Sequence, residues 1–377
     1  MKKIKNVLVT GSNGFIGKNF CEFLKFRDDI EIIKINKNSN ESELYSLLLK
    51  ADFIYHFAGV NRPNNNKEFI IQNVNFTQKI VDFLISNNLN TPIIFTSSIH
   101  ANSNSDFGSS KKNAEFILNE YSQSQKATVY NYRLKNIFGK WCKPNYNSVV
   151  ATFCHNIAND LSIKIDNPKY IVEFIYIDDV VQEFNQIIDN NQLEPKFYNN
   201  SIDTSYSCSI KELSETLNSF KSFRKNQKIP DFSNSFHKKL YSTFLSYLPN
   251  NRFANELKLN TDDRGSLFEI IKSDNSGQIF ASTTNPGITR GNHFHHTKTE
   301  KFCVIKGEGL INFRKINSAE IISYNVSGDK PQTVDIPPGY THNIKNVGNT
   351  EMITIFWANE IFDPNFPDTY FDKVNDE

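Results

Sequence analysis

Lys5-Asn-Val-Leu-Val-Thr10 is an apolar run of strand type that flows directly into Gly11-Ser-Asn-Gly-Phe-Ile-Gly17, after which Ile16, Phe20, Phe23 and Leu24 recur at helical spacing. Strand, glycine turn and amphipathic helix in immediate succession leave few folds open. Glycines let the backbone approach a pyrophosphate closely, and the helix start then offers free amide donors to the anion. The turn is therefore expected to bind a dinucleotide through Gly11, Asn13, Gly14, Phe15, Ile16 and Gly17.

Further strand candidates follow at residues 30–36, 52–59 and 92–98, with helical stretches between them. That alternation predicts a parallel, doubly wound α/β sheet. The second strand should end on a carboxylate if the adenosine ribose of NAD is to be gripped, yet it reads Asn36-Lys37-Asn38. A lysine there suits a 2′-phosphate, so NADP(H) is the expected cofactor, with Lys37 beside it. Ala58 and Gly59 close the third strand with small side chains next to the same ligand.

At 377 residues the chain exceeds what one core usually fills, and two domains are expected, 1–245 and 246–377. The border is placed in the region of Pro230 and Leu240–Pro249, beyond which helical periodicity gives way to short strands separated by Gly and Pro turns. That pattern predicts an all-β barrel. Within it, Gly291-Asn-His-Phe-His-His-Thr-Lys-Thr-Glu300 places His293 and His295 on one strand face and His296 on the other. Glu300, together with His342 after the turn Pro337-Pro-Gly-Tyr-Thr341, would complete a set of three nitrogens and one oxygen. Such a set suits zinc, nickel or iron better than magnesium or calcium, and zinc is the expected divalent metal.

The 42 basic and 41 acidic residues leave a net charge of +1 without long runs, which argues against nucleic acid or an anionic membrane as the main partner. No apolar run approaches the roughly 20 residues that span a bilayer. The five cysteines are scattered, with no CxxC pair and no signal-like run ahead of Val7, so a reducing, cytoplasmic setting is expected.

These motifs resemble the extended short-chain dehydrogenase/reductases, a Rossmann-type family, in GSNGFIG at 11–17, HFAG at 56–59, NVNFT at 73–77, Arg133–Gly139 and Tyr176–Val180. In that family a serine and a tyrosine hydrogen-bond the substrate carbonyl, the tyrosine gives the proton, and a lysine four residues on holds the nicotinamide ribose. Ser98 and Lys111 match, but the tyrosine position is Phe107. The resemblance thus leaves three readings: a substitute acid, a platform that only binds, or an active-site variant of a working enzyme.

Gly59–Pro63, Gly139–Ser148 and the C-terminal half resemble more closely a family of bifunctional capsular polysaccharide enzymes, nucleotide-sugar reductases and epimerases whose second half is a cupin barrel. Cupin motifs are matched by His293, His295, Glu300 and Gly307, then by Pro338, Gly339 and His342. The resemblance implies inversion at carbon 3 beside a 4-keto group by the cupin domain. It also implies NADPH-dependent reduction of that ketone by the first domain, in surface-polysaccharide precursor synthesis. A UDP-sugar would meet Arg133, Asn136, Lys140, Lys143 and Asn147, with Trp141 and Tyr146 as aromatic faces. The alternatives are an epimerase whose reductase half only binds, and a metal- and nucleotide-binding sensor or scaffold. A homodimer is expected because cupin barrels often pair through exposed strands.

Overall fold

The computed structural model describes residues 4–190 and 194–375. The chain divides into two compact units, one of residues 1–217 with 239–248 and the other of 218–238 with 249–377. Residues 218–238 join the second unit although they precede the expected border at 245. The reason is local: the Ile229 amide donates to the Lys272 carbonyl at 2.9 Å, and the Lys272 amide donates to that of Gln227 at 2.8 Å. The stretch around Leu240, read from sequence as part of the connection, lies in a helix, Ser235–Leu245.

In the first unit six parallel strands stand in the order Ile30–Ile35, Lys5–Thr10, Phe53–His56, Ile93–Ser98, Val129–Leu134, Phe197–Asn200. Both faces are covered, as a parallel sheet requires. Strand alternation sends Val7 and Val9 into a core with Phe20, Tyr55 and Phe184, while Leu8 joins Ile54, Ile93, Leu118 and Tyr121 on the other face. Lys5–Thr10 pairs with Ile30–Ile35 on one side and Phe53–His56 on the other. The strand order reverses there, which opens a crevice at the carboxyl ends. A second, three-stranded sheet holds Asn136–Phe138, Ile171–Tyr176 and Tyr206–Ser209.

The second unit is built on two antiparallel sheets of six and five strands, a cupin-like arrangement. Phe302, Val304, Ile336 and Phe356 from one sheet share a core with Ile311, Phe313 and Ile344 from the other. Thr289–Phe294 pairs with Tyr340–Asn346, and the register slips between Gly291 and His293 so that His293 faces His342. Bulges of this kind re-aim a side chain. Gly291 permits it: its φ is +101°, and a Cβ there would lie 2.9 Å from the His342 carbonyl oxygen. No helix among the described residues is long and apolar enough to cross a membrane.

Candidate functional site

The glycine turn sits hard against the end of the third strand. Gly11 has φ +67°, and a Cβ on it would fall 2.7 Å from the Ala58 amide nitrogen. Two cavities meet at this point, both lined by Gly11, Asn13, Gly14 and Gly59. The larger, about 1020 Å³, carries Ala58, Lys37, Ser39, Glu41 and Lys79 on its walls. The other, about 580 Å³, is lined by Phe15, Ile16 and Gly17 from the turn and by Ser98, Phe107 and Lys111.

The loop after the third strand is fixed by the asparagine of the NVNFT motif. Asn73, in a π-helical turn over Ile70–Asn75, accepts from the Val60 amide at 2.8 Å and donates to the Val60 carbonyl at 3.0 Å and to Ser110 Oγ at 2.9 Å. Such turns concentrate at functional sites. Beside it, His56 is fully enclosed between the hydroxyls of Thr10 at 2.8 Å and Thr77 at 2.9 Å. Burial, reinforced by the Lys111 ammonium, pushes its pKa down to about 3. An unfolded histidine takes up its proton near pH 6.5, so stability should fall as pH drops from about 6.5 to about 3, by on the order of 5 kcal/mol across that window. An NMR titration of the His56 imidazole should show no protonation above about pH 4, and a midpoint near 6.5 would contradict this.

Ser98 Oγ accepts from the His100 amide at 3.1 Å, which leaves its own O–H free to donate. Lys111 Nζ donates to the Thr96 carbonyl at 2.9 Å. Burial, opposed in part by Glu115 one helical turn away, lowers the Lys111 pKa to about 8. Phe107 lies half-buried on the same helix, its ring 6.0 Å from that of Phe69. The serines near Phe107 in sequence or in the same cavity, Ser98, Ser109 and Ser110, differ in placement. Ser109 is exposed, Ser110 donates to the Phe107 carbonyl at 2.8 Å, and Ser98 is the one that lines the cavity.

Of the residues expected on the sugar side, Asn136, Lys143 and Asn147 line the smaller cavity with Trp141 and Tyr146. Arg133 and Lys140 do not line it. Arg133 forks onto the Glu115 carboxylate at 2.6 and 2.8 Å, and Lys140 pairs with Asp178 at 2.5 Å. In the larger cavity the sequence reading missed Glu41, held by Lys79 at 2.9 Å and by the Tyr45 hydroxyl. Its signal was the helix start Asn40-Glu-Ser-Glu43, where Asn40 caps the helix through the Glu43 amide.

In the second unit the ligand atoms of His293, His295, Glu300 and His342 all lie within 4.8 Å of one another. His295 Nδ1 faces the Asp368 carbonyl at 2.5 Å and His342 Nδ1 faces the Tyr340 carbonyl at 3.3 Å. A carbonyl only accepts, so both Nδ1 atoms carry the proton and both Nε2 atoms are free to present lone pairs. Those Nε2 atoms are buried without a hydrogen-bond partner, 3.3 and 3.5 Å from Glu300 Oε2. Lone pairs and a carboxylate converging in a buried space call for a positive charge between them. The donor set therefore fits a divalent metal. Burial and the neighbouring His342 and His295 push the His293 pKa down to about 4. His296 points elsewhere, its ring 4.8 Å from that of Tyr370.

Comparison with known proteins agrees with both halves. Residues 7–200 match the NAD dependent epimerase/dehydratase family, and residues 260–370 match the polysaccharide biosynthesis C-terminal domain. The chain is 41% identical to UDP-2-acetamido-2,6-beta-L-arabino-hexul-4-ose reductase of Pseudomonas aeruginosa, over 98% of its own length and 99% of that protein's. The crystal structure of the capsular polysaccharide assembling protein CapF from Staphylococcus aureus matches with a TM-score of 0.91 and 46% identity, covering 98% of this chain and 100% of that one. CapF with the inhibitor 3-isopropenyl-tropolone matches at 0.86 and 43%, with the same coverage. The chain is thus an enzyme of the NAD dependent epimerase/dehydratase family, of the CapF type in which a polysaccharide biosynthesis C-terminal domain follows the nicotinamide-cofactor half.

Proposed function

We propose that this chain acts on a 4-keto-6-deoxy UDP-sugar in capsule or O-antigen precursor synthesis. The second unit inverts carbon 3, and the first reduces the carbon 4 ketone with NADPH. The observation that carries the epimerase half is the convergence of His293, His295, Glu300 and His342 around two buried, partnerless imidazole nitrogens. These four residues would hold a divalent metal, zinc fitting the donors best. When bound, it would supply Lewis-acid stabilisation of the negative charge that develops on the ketone oxygen as the carbon 3 proton leaves. Phe302 and Phe313 lie against His342, at ring separations of 5.8 and 6.4 Å, and keep one side of the cluster apolar.

For the reductase half, NADPH would supply the hydride. Lys37 in the larger cavity favours the 2′-phosphate form, although Glu41 on the same wall opposes it unless Lys79 keeps it neutralised. Ser98 can donate its hydroxyl to the carbonyl oxygen, and Lys111 has N–H groups to spare for a ribose. Phe107 has no proton to give. That single residue favours a second reading, in which the first unit binds cofactor and sugar nucleotide while the epimerase alone turns over. Exposed Ile321, Ile322 and Tyr324 on the edge strand Ile321–Ser327 support a homodimer paired through the barrel.

The test is incubation with a UDP-4-keto-6-deoxy sugar in deuterium oxide, with and without NADPH, following deuterium at carbon 3 and NADPH oxidation. Both signals are expected, the second slow. Uptake without oxidation would leave the epimerase alone, and neither signal would favour a binding protein without turnover.

A further inference from the structure

The side chain of Asp368 gathers a loop it has no sequence relation to. Its carboxylate accepts from the amides of His296 at 3.0 Å, Thr297 at 2.9 Å and Lys298 at 2.8 Å, and from the Thr297 hydroxyl at 3.0 Å. These three successive amides follow His295 directly and precede Glu300 by one residue. The same residue's backbone carbonyl takes the His295 Nδ1 proton at 2.5 Å. One residue therefore fixes the loop that carries two cluster members and sets which ring nitrogen of His295 is free.

Its own backbone is unusual. Asp368 has φ +39°, a region that costs energy for any residue with a Cβ, though Asp tolerates it better than most. The chain on either side is anchored. Lys298 Nζ, 5% exposed as a residue, donates to the Pro367 carbonyl at 2.5 Å and the Thr369 hydroxyl at 3.2 Å. Tyr370–Phe371 pairs with the strand that bears His293, and Arg314 holds Asp372 at 2.7 Å and the Lys373 carbonyl at 2.7 Å. The C-terminal segment thus crosses the outside of the cluster under restraint from both ends.

We infer that Asp368 is a positioning residue for the metal centre: its carboxylate holds the 296–298 loop and its carbonyl locks His295 with Nε2 facing Glu300 and His342. The inference rests on the metal reading above. Outer groups that orient a ligating histidine are worth about 10- to 100-fold in metal affinity. Asp368 touches none of the four ligand atoms' shared space, so its loss should loosen the site without removing a ligand.

The experiment measures zinc affinity of the full chain by competition with a chromophoric chelator, for the wild type, Asp368→Ala, Asp368→Asn and His342→Ala. Long-range proton–nitrogen NMR of the metal-free proteins, in which no bound ion fixes the ring, reads the His295 tautomer. Asp368→Ala keeps the residue 368 carbonyl but loses the carboxylate bonds that hold it in register with the 296–298 loop, so it is expected to weaken zinc about 10- to 100-fold, with His295 of the metal-free protein no longer held as a single Nδ1–H form, and Asp368→Asn, which keeps one acceptor oxygen, should fall between. Wild-type affinity in Asp368→Ala, or weakened affinity with the His295 tautomer unchanged, would overturn the inference. If the wild type binds no zinc, or His342→Ala binds as tightly, it is the metal reading that fails. Melting of the metal-free proteins separates a misfolded variant, for which Asp368→Asn then carries the decision.

Discussion

Phe107→Tyr is expected to raise NADPH-dependent reduction of a 4-keto UDP-sugar by about 10²-fold or more, since a positioned general acid contributes about 10²- to 10⁴-fold. The other parts are in place. Ser98 lines the same cavity with its O–H free to donate, and Lys111, which also lines it, stands one helical turn from residue 107. A buried ammonium beside a phenol favours the phenolate and so makes the phenol a better acid. The substitution adds one oxygen to a half-buried ring on a cavity wall, so stability should move by less than about 0.5 kcal/mol. Stopped-flow or steady-state loss of NADPH absorbance checks it, with cofactor affinity measured alongside. No rise at unchanged affinity would show that the loss of chemistry runs deeper than one hydroxyl, and would favour the reading in which this unit only binds.

What could be read from the chain and what could not divide along a physical line. Val7, Leu8 and Val9 announce a strand buried on both faces because side-chain alternation is a local property, and the glycines announce the turn because only they allow its approach to Ala58. The meeting of His293, His295 and Glu300 follows from strand periodicity, and the turn before His342 suggested the fourth member. The slip at Asn292 that brings His293 opposite His342 has no local signal beyond Gly291. Arg133 and Lys140 illustrate the opposite case. Their charge suggested ligand contacts, but Glu115 and Asp178, each distant in sequence, capture them. Asp368 was invisible for the same reason, since its contacts are to backbone amides some 70 positions away. The helix Ser235–Leu245 was passed over because its part from Lys239 on groups with the first unit, with residues far from it in sequence.

His342→Ala is expected to abolish stoichiometric metal binding at neutral pH and, with it, deuterium incorporation at carbon 3. A structural zinc site is worth about 10–16 kcal/mol in total, so one of four ligands accounts for roughly 3 kcal/mol, or on the order of 10²-fold in affinity. The loss should reach beyond that share. His342 is fully buried, its ring 4.5 Å from that of His293 and 5.3 Å from that of His295, so its removal opens a hole at the centre of the cluster. Glu300 then keeps one histidine, His295, close to its Oε2 rather than two. Alanine also takes the ring away from Phe302 and Phe313, and a cavity of that kind in a core costs about 2–4 kcal/mol. His342→Gln, which retains bulk and a polar atom, separates that packing loss from the loss of the ligand. Metal content by atomic absorption, and deuterium uptake by NMR with added zinc, are the measurements. Full exchange activity in a His342→Gln protein that folds but holds no metal would remove the metal from the epimerisation altogether, whereas loss of exchange with NADPH binding intact would confine the damage to the second unit.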